Sequence, residues 1–545
     1  MKRIGLILTT LLLMGCGRDS APPQVPVALP PQSAPTDTEI IEGKIRKTIG
    51  KPEGKLTPED LARVTQLDLG NARLRSVDRL ADLANLEVLH LNHNTITNLS
   101  PLAALKQLRE LTLSYNPVGT AAPLASLVQL EKLKLDGTEL TDIAPLTRLT
   151  ALRELGLENN RIRDLAPLSG MHQLRLLHLG GNPVGHLGPL AGMTELQVFY
   201  LSSSQVSDVS PLAGLTQLKD LGLPGNQIVD VSPLRGLARL ESLHLGANPV
   251  ADVAALSGMA ALKILNLERT RVSDLKPLAG LARLERLDLA YTRVGDLAPL
   301  AGLRSLRSLS LRKPKPKNPS IVTGLNLRPM EGLTALEQLQ LEGNHILDLS
   351  ALGGLVRLKE LNLEDNQIVA LDPLSGLRKL ETLRLGVNRI RDLAPLAGLT
   401  NLWRLDLDAN LLEDLGPLSD LKNLTTLRLR QNRIANLTPL TRLTKLRFVF
   451  LAGNQVRDVS PLGGLGRLEF IGLEGNRVVD LSPLAGLRSL KTLRLADNQV
   501  ASLAPLVGMK SLRTLTIKTN PRLGRSEAGD LRRALPGLNI DFLER

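Results

Sequence analysis

Leucine recurs along most of this chain in one fixed pattern. The stretch Leu380-Glu-Thr-Leu383-Arg-Leu385-Gly-Val-Asn388-Arg-Ile390-Arg-Asp392-Leu393-Ala-Pro395-Leu396-Ala-Gly-Leu399 returns with a step of 22 residues as L-x-x-L-x-L-x-x-N-x-[IV]-x-D-L-x-P-L-x-x-L. A fixed period of this length is the signature of stacked structural units rather than of a globular core. Counted at the Asn position there are about 21 copies. They run from a degenerate copy at Ala72 to Thr292, pass an irregular one at Pro314, and resume from Asn344 to Asn520. The step from 314 to 344 is 30 rather than 22, so eight residues are inserted there.

The L-x-L segment alternates with period two. It predicts a strand with Leu383 and Leu385 inward and Thr382, Arg384 and Gly386 outward. Each repeat is then a strand, a turn and a return segment, and only stacking of neighbours into a parallel sheet closes the leucine layers. The D-L-x-P-L segment cannot continue a ladder past its proline, which predicts a short 3-10 turn on the outer side. The Asn at the turn carries two donors and an acceptor for the backbone groups freed where the strand bends. It predicts a ladder of Asn94, Asn116, Asn160, Asn182, Asn226, Asn248, Asn344, Asn366, Asn388, Asn410, Asn432, Asn454, Asn476, Asn498 and Asn520, with Thr138, Ser204, Thr270 and Thr292 as hydroxyl substitutes. A longer period overlies the first half, where Asn-Pro-Val recurs at Asn116, Asn182 and Asn248, every 66 residues. The second half lacks it, which indicates separate expansion of the two.

Open ends of such a stack need caps. Residues 37–64 read as an N-terminal cap, with a helix from about Thr38 to Lys47 and a second start at Thr57-Pro58-Glu59-Asp60. Residues 65–521 form the repeat body, with the insertion at about 313–324. Residues 522–545 read as a C-terminal cap, in which Ser526 caps a helix through Leu535 and Asn539 to Leu543 forms a last strand.

The first 36 residues differ in kind. Lys2 and Arg3 precede an apolar run from Ile4 to Met14, about half the length needed to span a bilayer and suited to a signal segment over residues 1–15. Its end, Leu13-Met14-Gly15-Cys16, resembles the lipobox of bacterial lipoproteins, which implies cleavage before Cys16 and lipidation of that thiol. It is the one cysteine in the chain. Residues 16–36 then form a Pro-rich tether, extended over roughly 60 Å as polyproline II. Gly17 after Cys16 resembles outer-membrane sorting in Gram-negative lipoproteins. The expected location is the bacterial cell envelope, with lipid as the sole membrane attachment.

The repeat itself, from about Leu61 to Pro521, resembles the 22-residue leucine-rich repeat of bacterial internalins. The resemblance implies an α/β solenoid: a right-handed, curved horseshoe or arc with a parallel concave sheet, 3-10 turns on the convex side and a helix capping each end. It also implies protein or peptide binding by the concave face. It departs from internalins in showing neither a wall-sorting motif nor a following immunoglobulin-like module, so host-cell adhesion is not carried over.

Composition narrows the chemistry. Aromatics make up 2% of the 545 residues, so the core is aliphatic. A recurring aspartate (Asp142 to Asp480 in twelve coils) caps the turn before the proline and is not read as a calcium row. His90, His178 and His244 share one strand position but lie three or four coils apart, at least ~14 Å at ~4.8 Å per strand. No metal site, cofactor or catalytic constellation follows, and the chain is read as a non-enzyme.

The net charge of +13 raises nucleic acid as a partner. Yet the outward strand positions six, four and two residues before each ladder position carry 14 acidic and 10 basic residues. Positive charge therefore sits on flanks and turns, and nucleic acid is excluded as the partner. On that outward face Phe448, Phe450 and Phe470 fall on adjacent strands, with Arg428 and Arg430 one coil before, Arg404 and Arg384 further back and Arg494 one coil after. Aromatic and Arg side chains together have the composition of an interface hot spot. These eight residues are the candidate partner-binding site, with mutual packing of the phenylalanines as the plainer reading. Trp403 reads as a rim residue, and Arg312-Lys313-Pro314-Lys315-Pro316-Lys317-Asn318-Pro319 as a tolerated surface insertion, with a partner-gripping loop or flex point as the sharper reading. The expectation is a lipid-anchored receptor for a protein or peptide. The alternative is an envelope spacer without a discrete ligand, and the oligomeric state stays open.

Overall fold

The computed structural model describes residues 35–313 and 324–542. The signal segment, Cys16, most of the tether and most of the basic insertion lie outside the described residues.

Among the described residues the L-x-L segments and the terminal Asn539–Asp541 form twenty-two strands of three residues, beginning at Gln66–Asp68, in one parallel sheet. Each strand pairs with the next in the chain. Thr382 faces Arg404, Leu383 faces Leu405 and Arg384 faces Asp406, a step of one repeat. At the insertion Ser308 pairs with Gln338, so the additional residues are looped out and the register survives. Register holds because a slip of one residue would turn every buried leucine to solvent.

The return segment of nearly every coil carries a 3-10 turn such as Ala394–Leu396, with Pro395 in its first turn. The amide of Leu396 bonds the carbonyl of Leu393 at 2.9 Å. Asp392 fixes where the turn starts, its Oδ1 accepting from the Ala394 amide at 2.8 Å. The other eleven aspartates of this row accept from the amide two residues on. Between strand and turn, Leu380, Leu383, Leu385, Ile390, Leu393, Leu396 and Leu399 are all buried. Stacked coil on coil, such sets make one continuous aliphatic core.

The Asn at the turn links two coils. Asn388 donates from Nδ2 to the carbonyl of Leu385 at 3.0 Å in its own coil and to that of Leu363 at 2.9 Å in the preceding one. Its Oδ1 accepts from the Ile368 amide at 3.0 Å. Thr270, by contrast, donates one bond, to the Leu267 carbonyl at 2.7 Å. The residue before the ladder position takes a left-handed conformation in most coils. Glycine occupies it at Gly137, Gly181, Gly225, Gly343, Gly453 and Gly475, whereas β-branched Val387 and Thr519 adopt it at φ 57° and 60°. The turn requires this, because in that conformation the Val387 amide reaches the Asp408 carbonyl at 2.7 Å.

Helices flank the first and last coils. α1 (Asp37–Ile49) begins one residue before the expected start because Thr36 and Glu39 form a capping box. It buries Ile41 and Ile45, and Asp37 accepts from the amides of Arg75 and Ser76, tying the helix to the first coil. α2 (Pro58–Ala62) is capped by Thr57. α3 (Arg525–Ala534) corrects the sequence reading, since Gly524 stands at its N-cap and Ser526 lies inside the first turn. Glu527 sets that start by reaching back to the Leu503 amide at 2.7 Å and to Ser502.

Candidate ligand-binding face

The solvent face of the sheet is built from the three outward positions of each strand, so neighbouring coils place like-numbered side chains ~4.8 Å apart. Between the coils ending at Asn366 and Asn498 this face holds a cavity of about 770 Å³. Arg384, Arg404, Asp406, Asp408, Arg428 and Arg430 contribute to its lining. Arg428 donates from Nε to Asp408 at 3.1 Å, while that Nε lies 2.8 Å from Asp406 and Nη2 lies 3.0 Å from Asp408. Arg430 reaches Asp408 from Nη2 at 2.7 Å, and its backbone amide donates to Oδ1 of the same carboxylate at 2.7 Å. Burial, reinforced by the charge of Asp408, pushes the Asp406 carboxyl up to about 6. Burial also raises Asp408, against the pull of Arg430.

Arg428 and Arg430 thus have their charges met by the two aspartates. Arg384 and Arg404 differ, because the Nε of each is buried without a hydrogen-bond partner. A buried donor left unpaired costs about 1–3 kcal/mol.

The phenylalanines are not the open cluster expected from the sequence. All three rings are half-buried. Phe450 and Phe470 lie 4.6 Å apart, with Arg428 over Phe450 at 4.9 Å and Arg494 over Phe470 at 5.3 Å. Phe470 leans across Gly472, where a Cβ would stand 3.1 Å from the ring. Phe448 points to the flank beneath Arg447, at 5.3 Å. The correction has a simple cause: a three-residue strand in a close-packed parallel sheet offers guanidinium groups as neighbours, and cation–π contact covers the ring faces. Phe450 and Phe470 therefore support the arginines around the cavity and do not line it. Trp403 is exposed on the flank beside Lys359, Lys379 and Lys445.

Asp406 and Asp408 escaped sequence reading because they look like any other outward acidic residues. Their burial comes from the arginines of three coils closing over them. A signal was available in the run Arg404, Asp406, Asp408, Arg428, Arg430, since opposite charges on neighbouring strands at equivalent positions pair. Tyr200 was missed as well. It bonds Asp220 at 2.8 Å and contacts the rings of both His178 and His244, so residues three coils apart share one aromatic row. Gly222 permits this, as any Cβ there would meet the Tyr200 ring. Among the described residues no group of three or more His, Cys, Asp or Glu side chains could hold a metal, and no helix is long and apolar enough to cross a membrane.

Six segments match the model for Leucine Rich repeats (2 copies): 84–126, 128–170, 334–376, 356–398, 378–420 and 422–464. No curated protein matches the chain significantly. Among solved structures, an internalin (inlF) from Listeria monocytogenes is 26% identical over 78% of this chain and 99% of its own, with a TM-score of 0.40. An internalin C2 (inlC2) from the same organism is 35% identical over 38% of this chain and 92% of its own, at a TM-score of 0.37. The leucine-rich repeat ectodomain of the plant membrane receptor kinase GASSHO1/SCHENGEN3 from Arabidopsis thaliana is 19% identical over 86% of this chain and 68% of its own, at a TM-score of 0.55. That structure is of a complex with CASPARIAN STRIP INTEGRITY FACTOR 2. No catalytic family is among these matches.

Proposed function

The chain carries leucine-rich repeats, and from that premise we propose that it is a non-enzymatic receptor, taking a protein or peptide ligand on the C-terminal part of its concave sheet face. The observation that carries this reading is the pair of buried, unpartnered Nε donors of Arg384 and Arg404 at the cavity. Arginine forks recognise carboxylates by two parallel bonds, and a cavity of about 770 Å³ accommodates one or two side chains of a ligand segment. Phe450 and Phe470 hold Arg428 and Arg494 in place through their ring faces. The site is therefore polar and pre-positioned rather than an apolar anchor, and it favours a peptide carrying an acidic residue. Selection of a random peptide library on the purified chain tests the reading. The expected outcome is enrichment of acidic peptides whose binding falls about tenfold or more in Arg404→Ala. A selection that yields no peptide sensitive to Arg384 or Arg404 leaves the spacer reading in its place.

The receptor is further proposed to sit in the bacterial envelope, held through lipid on Cys16, with the Pro-rich tether setting its distance from the membrane. Support comes from the Leu13-Met14-Gly15-Cys16 sequence and the preceding apolar run. Several acyl chains anchor stably where one does not. Cys16→Ser is expected to release the protein from membranes and to abolish labelling by a fatty-acid analogue. An unlabelled wild type contradicts the anchor.

A further inference from the structure

The row of residues seven before each ladder position runs along one flank of the sheet and alternates in charge over two stretches, with interruptions at Arg175 and Gln197 and at Trp403 and Thr425. From Lys219 it reads Glu241, Lys263, Glu285, Arg307, Glu337, Lys359, Glu381. Adjacent members pair: Lys263 with Glu241 at 2.6 Å, Lys359 with Glu337 at 2.8 Å, and Arg307 between Glu285 at 3.8 Å and Glu337 at 3.7 Å. Near the N-terminus Glu131 lies between Arg109 at 3.1 Å and Arg153 at 3.6 Å. Through these coils each cation has a carboxylate one strand away, which is the arrangement cross-strand electrostatics favours.

At the C-terminal end the alternation fails. The row there reads Arg447, Glu469, Lys491, Arg513, ending on two cations. Arg467 and Arg488 join them around a cavity of about 580 Å³ whose remaining lining is Ser489 and Ser511. Five cations thus face one carboxylate. Glu469 is already shared, accepting from Arg447 Nε at 2.6 Å and from Lys491 at 2.7 Å. Those two bonds hold it below the usual carboxylate range. Arg513 donates to the backbone carbonyls of Lys510 and Leu512. Among the described residues, Arg467, Arg488 and Arg513 have no acidic partner within ion-pair distance. The Ser511 hydroxyl is buried with no hydrogen-bond partner. A gathering of like charges beside an unused donor is costly unless an anion completes it.

We propose that this flank cavity is a binding site for a phosphate group, separate from the peptide site on the sheet face. Guanidinium forks and an ammonium converging from four coils match the several acceptor oxygens of a tetrahedral phosphate better than the planar pair of one carboxylate. Four strands at ~4.8 Å spread the cations over about 14 Å. That extent suits one or two phosphate groups and is too short to follow a nucleic-acid backbone.

Calorimetric titration of the full-length protein in non-ionic detergent with inorganic pyrophosphate tests this. Saturable binding is expected, weakening with salt and falling about tenfold or more in Arg467→Gln/Arg488→Gln. Both positions are exposed and sit among like charges, so the thermal midpoint should not fall. Arg307→Gln/Arg389→Gln, exposed on other coils, should bind as wild type does. A parallel titration with short-chain phosphatidic acid separates the sources. Tighter binding than pyrophosphate assigns a lipid headgroup, and weaker binding assigns a soluble phosphate ester. Absence of saturable binding to either probe overturns the site, and so does equal binding by the two double variants.

Discussion

The coils before the insertion and those after it share one core and differ in ladder and in face. Before it, the Asn ladder is interrupted by Thr138, Ser204, Thr270 and Thr292, whose hydroxyls make one or two bonds where Asn makes three or more. After it, the ladder positions from Asn344 to Asn520 are Asn without exception. The first half presents glycines and an aromatic row of His178, Tyr200 and His244. The second presents Arg384, Arg404, Arg428 and Arg430 over two buried aspartates. Buried apolar positions repeat in both, leucine for the most part, with Phe199, Val449 and Ile471 as substitutes at the central strand position. The inward positions thus fix register and stacking, while the outward ones are free to carry ligand chemistry.

The largest expected effect sets one half against the other. Asn388→Ala should cost about 1–3 kcal/mol, because it strands the amide of Ile368 and takes one of two Asn donors from each of the carbonyls of Leu363 and Leu385. Thr270→Ala removes one bond and should cost about 1 kcal/mol. Urea unfolding of both variants measures the gap, and equal losses would show that the ladder residues are interchangeable.

A pH-dependent difference comes next, confined to the second half. Asp406 is raised to about 6 in the folded chain and is near its ordinary, lower value when unfolded. The folded state therefore binds the proton more tightly, and this residue adds stability as pH falls from 7 through 6 towards 4. Asp406→Asn should remove that increment. A pH–stability profile unchanged by the substitution would mean that Arg428 keeps the carboxyl ionised throughout. The smallest effect is Val387→Gly, which relieves a β-branched residue at φ 57° and should raise stability by up to about 1 kcal/mol. Destabilisation would show that Val387 packs usefully in that turn.

Most of the fold was legible because a residue needed in every coil appears in every coil. Leu383, Asn388, Asp392 and Pro395 each report a requirement of the backbone, repeated often enough to be read directly. The face was less legible. Arg404 and Phe450 were visible as outward residues, but which would be covered depended on side-chain directions that spacing does not specify. Phe450 is roofed by Arg428, and the donors left over belong to Arg384 and Arg404. The start of α3 was misplaced for a similar reason, since a tertiary contact from Glu527 decides it.

We propose the second half of the sheet face, and not the first, as the receptor site. The most direct test measures one selected acidic peptide against Arg384→Ala/Arg404→Ala and against Tyr200→Ala by calorimetry, with thermal unfolding alongside. The account predicts that the double variant melts no lower than wild type, because it loses two unpaired buried donors, and binds about tenfold or more weakly. Tyr200→Ala should bind as wild type does. Loss of binding in Tyr200→Ala with full affinity in the double variant would contradict the account and move the site to the histidine–tyrosine row.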